Sequence, residues 1–127
     1  IIKKKGLNKK RKQKAKENTY FRSVLETSTH TQVVIMSIPP QGEIGEEIHN
    51  DNDQVLYLVE GEGKVILESE EKPFETGDLV LVSAGTKHNF VNTGSSDLKI
   101  ITTYSPPHHP KDTIHKTKEE AEKNDTY

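Results

Sequence analysis

Residues 77–92 read Gly-Asp-Leu-Val-Leu-Val-Ser-Ala-Gly-Thr-Lys-His-Asn-Phe-Val-Asn: two short runs, LVLV at 79–82 and HNFVN at 88–92, each entered through turn residues. Gly77-Asp78 and Ala84-Gly85-Thr86 have turn chemistry, because glycine reaches positive φ at no steric cost and Asp bonds its own backbone. Apolar runs this short between such turns are strands rather than helices. The pattern continues outward. Upstream lie YFRSVL at 20–25, TQVVIMSI at 31–38 with Pro39-Pro40-Gln41-Gly42 after it, QVLYLV at 54–59 and KVILES at 64–69, and downstream lies LKIITTY at 98–104. The separators Gly61-Glu62-Gly63, Lys72-Pro73 and Thr93-Gly94-Ser95-Ser96 all read as turns. Short strands at this even spacing, with no helical period between them, predict an all-β protein, a sandwich or barrel of antiparallel strands.

A chain of 127 residues fits one domain. Only 30% of it is apolar and 30% is charged, but polar ends dilute a middle rich in Val, Ile and Leu, so the ordered core is expected between Tyr20 and Tyr104. There is no cysteine, which excludes disulfides, zinc ribbons and thiol nucleophiles; any metal must be held by His, carboxylate or amide ligands. No apolar run approaches the ~20 residues of a membrane-spanning helix, and the start is too basic for a signal peptide, so a soluble, cytoplasmic protein without a membrane partner is expected. Residues 1–16 carry nine basic and no acidic side chains, leaving nine basic against twenty acidic in the rest, a formal charge of −11. The arm, residues 1–17, is read as disordered and solvated; contact with nucleic acid is the lesser reading. After Tyr104 the prolines of SPPHHP forbid a continuing strand, and 106–127 is expected to be an irregular tail with at most a short helix near 118–123. Continuously apolar runs such as 55–59 fit strands covered on both faces, as in a homodimer.

Five of the six histidines lie from His49 onward. In EIHNDNDQ, Glu47, His49 and Asp51 alternate by two, so in extended backbone their side chains leave on one face and can converge. Imidazole nitrogen with Gln and Asp oxygens makes a mixed donor set suited to Mn, Fe, Ni, Cu or Zn better than to Ca. His108, His109 and His115 form a second group, read as surface decoration, with a tail that folds over the barrel mouth or supplies a ligand as the alternative. Tyr57 and Phe90 read as core or cavity wall.

Gly77, Gly85, His88 and Asn92 stand at the spacings of the second motif of the cupin superfamily, with Ser83 in place of its Pro. The first cupin motif runs from a Gly through His-x-His to a Glu and then to a Gly; here Gly42, His49, Asp51, Gln54 and Gly61 are set against it, with Asp51 and Gln54 as departures and a short step between them. The chain thus resembles a small single-domain cupin, and from residue 18 onward it is similar to those labelled mannose-6-phosphate isomerase-like. That resemblance implies a double-stranded β-helix (jelly-roll barrel) over 18–105 and one divalent metal ion (Mn, Fe, Ni or Zn) on His49, Gln54 and His88, with Asp51 as a possible fourth ligand and Glu47 in reserve. It also implies a small-molecule ligand or substrate. The leading expectation is isomerase-like action on a small polar, sugar-derived substrate, with Glu47 or Asp51 as the nearest general base. The alternative is a non-catalytic ligand-binding or sensor module.

Overall fold

The computed structural model describes residues 12–123. A short helix, α1, occupies 12–17. Then come β1 (Arg22–Thr27), β2 (Gln32–Ile38), β3 (Glu47–Ile48), β4 (Asp53–Glu60), β5 (Glu62–Leu67), β6 (Glu70–Glu75), β7 (Leu79–Val82), β8 (Lys87–Asn92), β9 (Leu98–Ser105), β10 (Ile114–His115) and α2 (Lys118–Lys123). The strands form two sheets, one of six in the order β10-β1-β2-β9-β4-β7 and one of four in the order β3-β8-β5-β6, with antiparallel pairing throughout. The expected all-β barrel of jelly-roll type is what forms. Among the described residues no helix is long and apolar enough to cross a membrane.

The core follows from strand period. Leu56 and Leu58 of β4, Leu98 and Ile100 of β9, and Val34, Met36 and Ile38 of β2 face inward from the larger sheet; Val65, Phe74 and Phe90 meet them from the smaller one, all in one cluster. Phe90 is core, against Phe74 at 5.1 Å between rings, whereas Tyr57 packs on the outer face of the large sheet. The Gly-Glu-Gly turn has a steric reason: a Cβ on Gly63 would lie 2.2 Å from the carbonyl oxygen of Val91, and Gly61 adopts φ of 111° against the Asp97 carbonyl.

Three expectations are corrected. Lys72-Pro73 is not a turn but lies within β6, with Pro73 opposite Lys64; the turn sits at 68–69, where Glu68 has φ of 55°. Proline is tolerated there because β6 is an edge strand, one side of which has no ladder to donate to. The tail is not merely an irregular appendage, since β10 pairs with β1 and Ala121 of α2 is fully buried in the main core. His115, expected at the surface, is buried, and its Nδ1 accepts from the Arg22 guanidinium at 3.3 Å. Burial foremost, and then the Arg22 charge, lowers its pKa.

The arm is the third correction. Residues 1–11 lie outside the described residues, but 12–17, also read as disordered, are helical, with Ala15 fully buried against Ile35 and Val59. Lys99, itself buried, donates to the carbonyl of Asn18 just past the helix and to Ser37 Oγ at 3.0 Å, placing a cation at the negative end of the helix dipole. A helix this short has no stability of its own. Contact with the sheet holds it, and that is invisible to composition. Ala15→Asp is expected to lower the unfolding free energy by about 1–3 kcal/mol, because a carboxylate would replace a fully buried methyl group. Urea unfolding with an unchanged midpoint would show that α1 is not packed in solution.

Candidate metal centre

Antiparallel pairing of β3 with β8 sets Glu47 directly opposite His88. Directly opposed residues share a face with their Cβ atoms about 5 Å apart. His49 follows Glu47 by two positions and so joins the same face; its backbone is fixed by the Gly85 amide, which donates to the His49 carbonyl at 2.9 Å. One ligand atom from each of Glu47, His49 and His88 lies within 4.8 Å of the other two. His49 Nε2 is 3.5 Å from Glu47 Oε1, and the two imidazole rings are 5.3 Å apart.

The chemistry of these atoms fits a metal ion. His88 Nδ1 lies 2.8 Å from the Thr86 carbonyl oxygen. A carbonyl can only accept, so Nδ1 carries the proton and Nε2 presents a lone pair. Burial lowers the His88 pKa, against smaller raising effects of the Thr86 hydrogen bond and Glu47, which favours the neutral, ligating imidazole. His88 Nε2, His49 Nε2, Glu47 Oε2 and Gln54 Oε1 are all buried without a hydrogen-bond partner. At roughly 1–3 kcal/mol for each unsatisfied buried group, four in one end of a barrel interior is a cost that a bound cation would offset.

Gln54 faces inward from β4, its amide donating to Thr102 Oγ1 at 3.0 Å. Its cross-strand neighbour is Tyr104 of β9, whose ring stands edge-on to His49 at 5.7 Å. Burial raises the Tyr104 pKa to about 12, so its phenol stays protonated beside the site. Asp51 is exposed in the loop between β3 and β4 and stands outside the cluster, whereas Glu47, expected as a base, is part of it. The reason is a frame of two residues: with Glu47 and His49 in the two His-x-His positions, the step to Gln54 lengthens and the departure at Asp51 disappears. The short step was the signal in the sequence. His108, expected at the surface, lies over the site, with its ring 4.5 Å from His49 and stacked on Tyr104 at 5.4 Å. His109 is buried edge-on to Tyr104. A groove of about 580 Å³, lined by Phe21, Ile38, Pro39 and Lys118 among others, shares no residue with the cluster.

A jelly-roll barrel with two histidines and a carboxylate converging at one end defines a class of β-barrel proteins with a candidate metal site, and within that class the chain belongs to the cupin family, whose domain model matches residues 34–104. It is 38% identical over 112 residues to an uncharacterized protein of Bacillus subtilis (strain 168), YrkC, covering 84% of this chain and 60% of that one. The chain thus spans about three fifths of that relative's length. A crystal structure of a Bacillus halodurans protein is 38% identical and superposes with a TM-score of 0.87 over 88% of this chain and 89% of that chain. A protein of Thermotoga maritima described as oxalate-binding is 29% identical over 66 residues, 52% of this chain and 54% of its own.

His49→Ala and His88→Ala are each expected to lower metal content per chain by at least roughly tenfold while leaving the aliphatic core folded, with exposed His30 as the unaffected control. Elemental analysis and circular dichroism on the same samples check both parts. Because the folded chain holds His88 below its ordinary pKa of 6.5, the unfolded chain takes up that proton first. The stability tied to His88 is therefore complete above about pH 6.5 and is lost as the pH falls below it. Metal-free protein whose stability rises on acidification from pH 7 to 5 would contradict this.

Proposed function

We propose that this cupin holds one divalent metal ion through Glu47, His49 and His88, with Gln54 as the fourth donor, and takes a small, oxygen-rich ligand onto the positions the protein leaves open. The observation that carries it is that ligand atoms of Glu47, His49 and His88 lie within 4.8 Å of one another, while both Nε2 atoms, Glu47 Oε2 and the Oε1 of inward-facing Gln54 are buried without a hydrogen-bond partner. Two imidazoles with a carboxylate and an amide oxygen make a donor set for Mn, Fe, Ni or Zn, and an octahedral preference would leave two positions free. When bound, such an ion polarises a ligand carbonyl or hydroxyl pair and stabilises charge developing on it. Oxalate, named for the Thermotoga maritima relative, and the neighbouring oxygens of a sugar phosphate present the same two-oxygen chelating chemistry.

Turnover of isomerase type is the second reading, and Glu47 is what favours it. One of its oxygens faces His49, and the other, Oε2, is buried without a partner; in this second reading Glu47 serves as the base rather than as a metal donor. Exposed Asp51 is poorly placed for that role. Calorimetric titration of manganese-loaded protein with oxalate and with a hexose 6-phosphate tests binding, and proton exchange at C2 of the sugar phosphate in heavy water tests turnover. Binding without exchange is the expected result and favours a binding or sensor module; exchange favours the isomerase; loss of both, with no manganese taken up, would sink the metal reading.

We further propose that the protein is a homodimer, on the evidence of an exposed apolar face. Leu79 and Leu81 are 68% and 62% exposed, and their register places them beside Tyr57 and Val55, which in turn adjoin Ile101 and Thr103. A second copy of this chain is the occupant, because each copy offers both an acidic body and the exposed lysines of α1 beside this face. Leu79→Lys with Leu81→Lys is expected to halve the mass seen in sedimentation; wild-type protein sedimenting as a monomer would refute it.

A further inference from the structure

The histidine pair at 108–109 is held in place by hydrogen bonds to a fully buried side chain, Gln32. Gln32 begins β2, is fully buried, and pairs across the ladder with Tyr104, which pairs on its other side with Gln54. The three therefore form one inward-facing row at the end of the large sheet. Both ends of the Gln32 amide are committed to the chain beyond β9. Its Oε1 accepts from the backbone amides of His108 at 3.2 Å and His109 at 3.0 Å, and its Nε2 donates to the His109 carbonyl at 2.7 Å and to Thr27 Oγ1 at 2.9 Å. Asn52, buried in the loop that carries His49 toward β4, donates to the carbonyl of Pro106. Residues 106–109 are thus a strap tied down at both ends by buried side-chain amides. A surface segment would have left these groups to water, and a buried amide is costly unless its bonds are made.

The strap's position has a chemical consequence. His108 is half-buried, lies over His49 at 4.5 Å with the rings inclined at 64°, and is stacked on Tyr104 within 24° of parallel. It is not among the three residues whose ligand atoms converge within 4.8 Å, so it borders the cluster without belonging to it. The strap thus sets the His108 imidazole and the Tyr104 ring together beside His49, at the cluster's edge.

We propose that the strap is a wall of the binding site, that His108 contacts the ligand by donating a hydrogen bond to one of its oxygens, and that Gln32 is the positioning residue that holds His108 there. This rests on the metal-binding reading above, and it narrows the ligand to a small anion with an oxygen free to accept from His108 while others bind the ion.

Cobalt(II) serves as the metal, because its visible absorption reports the donor set directly, and oxalate and azide serve as probe anions. Wild type, His108→Ala, His108→Phe and His108→Gln are compared, first for cobalt affinity and spectrum and then for anion affinity. The expected result is unchanged cobalt binding in all four, oxalate affinity about tenfold weaker with Ala and with Phe, which keeps the stacking but not the donor, and recovery with Gln. Gln32→Ala is expected to weaken oxalate in the same sense without changing the cobalt spectrum. Equal oxalate affinity across the His108 series would overturn the proposal, as would cobalt loss on replacing His108, which would make it a metal donor. Wild type that takes up cobalt but neither anion would overturn it too, since the wall would then enclose nothing. Absence of cobalt uptake in wild type would overturn the metal reading and this proposal together, a failure distinguished from the others because cobalt is read first.

Discussion

Because β3 is only two residues long, the pairings of Glu47 with His88 and Ile48 with Lys87 are what β3 itself contributes to bringing the two ligand-bearing segments together. Every other site residue is placed relative to that pair. His49 is committed by the period of two and by the Gly85 amide on its carbonyl, and Gly85 belongs to the turn that delivers His88. Slipping β3 by one residue would turn Glu47 and His49 outward together and bring exposed Ile48 in. So short a ladder resists slipping through its surroundings. The Gly45 amide donates to Asn89 Oδ1 and the Ile44 amide to the Phe90 carbonyl, so the approach to β3 is stitched along β8 before the ligands are reached.

The barrel was legible in the sequence because its signals are local. Turn residues such as Gly77-Asp78 and the β-branched run at 31–38 report on their own backbone, and the observed strands β2, β4, β7, β8 and β9 fall where those runs lie. His49 and His88 were singled out for the same reason, through spacing, and the structure brings them together with Glu47. What was not legible depends on distant partners. Nothing near Pro73 says that its strand will be the outermost of its sheet, and nothing near Ala15 says that Ile35 and Val59 will be waiting for it. The strap belongs to this second kind, since Gln32 and His109 are far apart in the chain and meet only because β2 and β9 are neighbours. Glu47 is an intermediate case: both possible frames put a carboxylate and a histidine on one face, and pairing with His88 selects between them.

Dryness at this end of the barrel does three things at once. It depresses the His88 pKa and so keeps a lone pair available, it raises the Tyr104 pKa to about 12 and so keeps a proton there, and it strengthens any charge interaction made inside. The two shifts have opposite signs and the same cause, because burial disfavours the charged form of either group. An acidic body does not make this interior anionic. Arg22 is fully buried and approaches Tyr104, and Glu47 is the carboxylate of the cluster, so a divalent ion would leave the interior with net positive charge. Under the proposed metal reading, that charge balance favours an anionic ligand.

Under the proposed metal reading, the arrangement also trades stability for binding, and this bears on where the site sits. Donor atoms held apart from water and from one another weaken the metal-free fold, and that loss is tolerable only if the rest of the barrel is secure. Security here comes from the opposite kind of residue: the layers behind the site, Leu56, Leu58, Ile100, Val34 and Met36, are fully buried or nearly so and contain no polar side-chain atom to satisfy. An ion that binds only the folded chain would add about 2.7 kcal/mol at a hundredfold excess over its Kd, comparable to the cost of one or two unsatisfied buried groups. Placing all four at one end confines the weakness to a region that a single ligand could relieve in part. Scattered through the core, the same four atoms would each need a separate remedy.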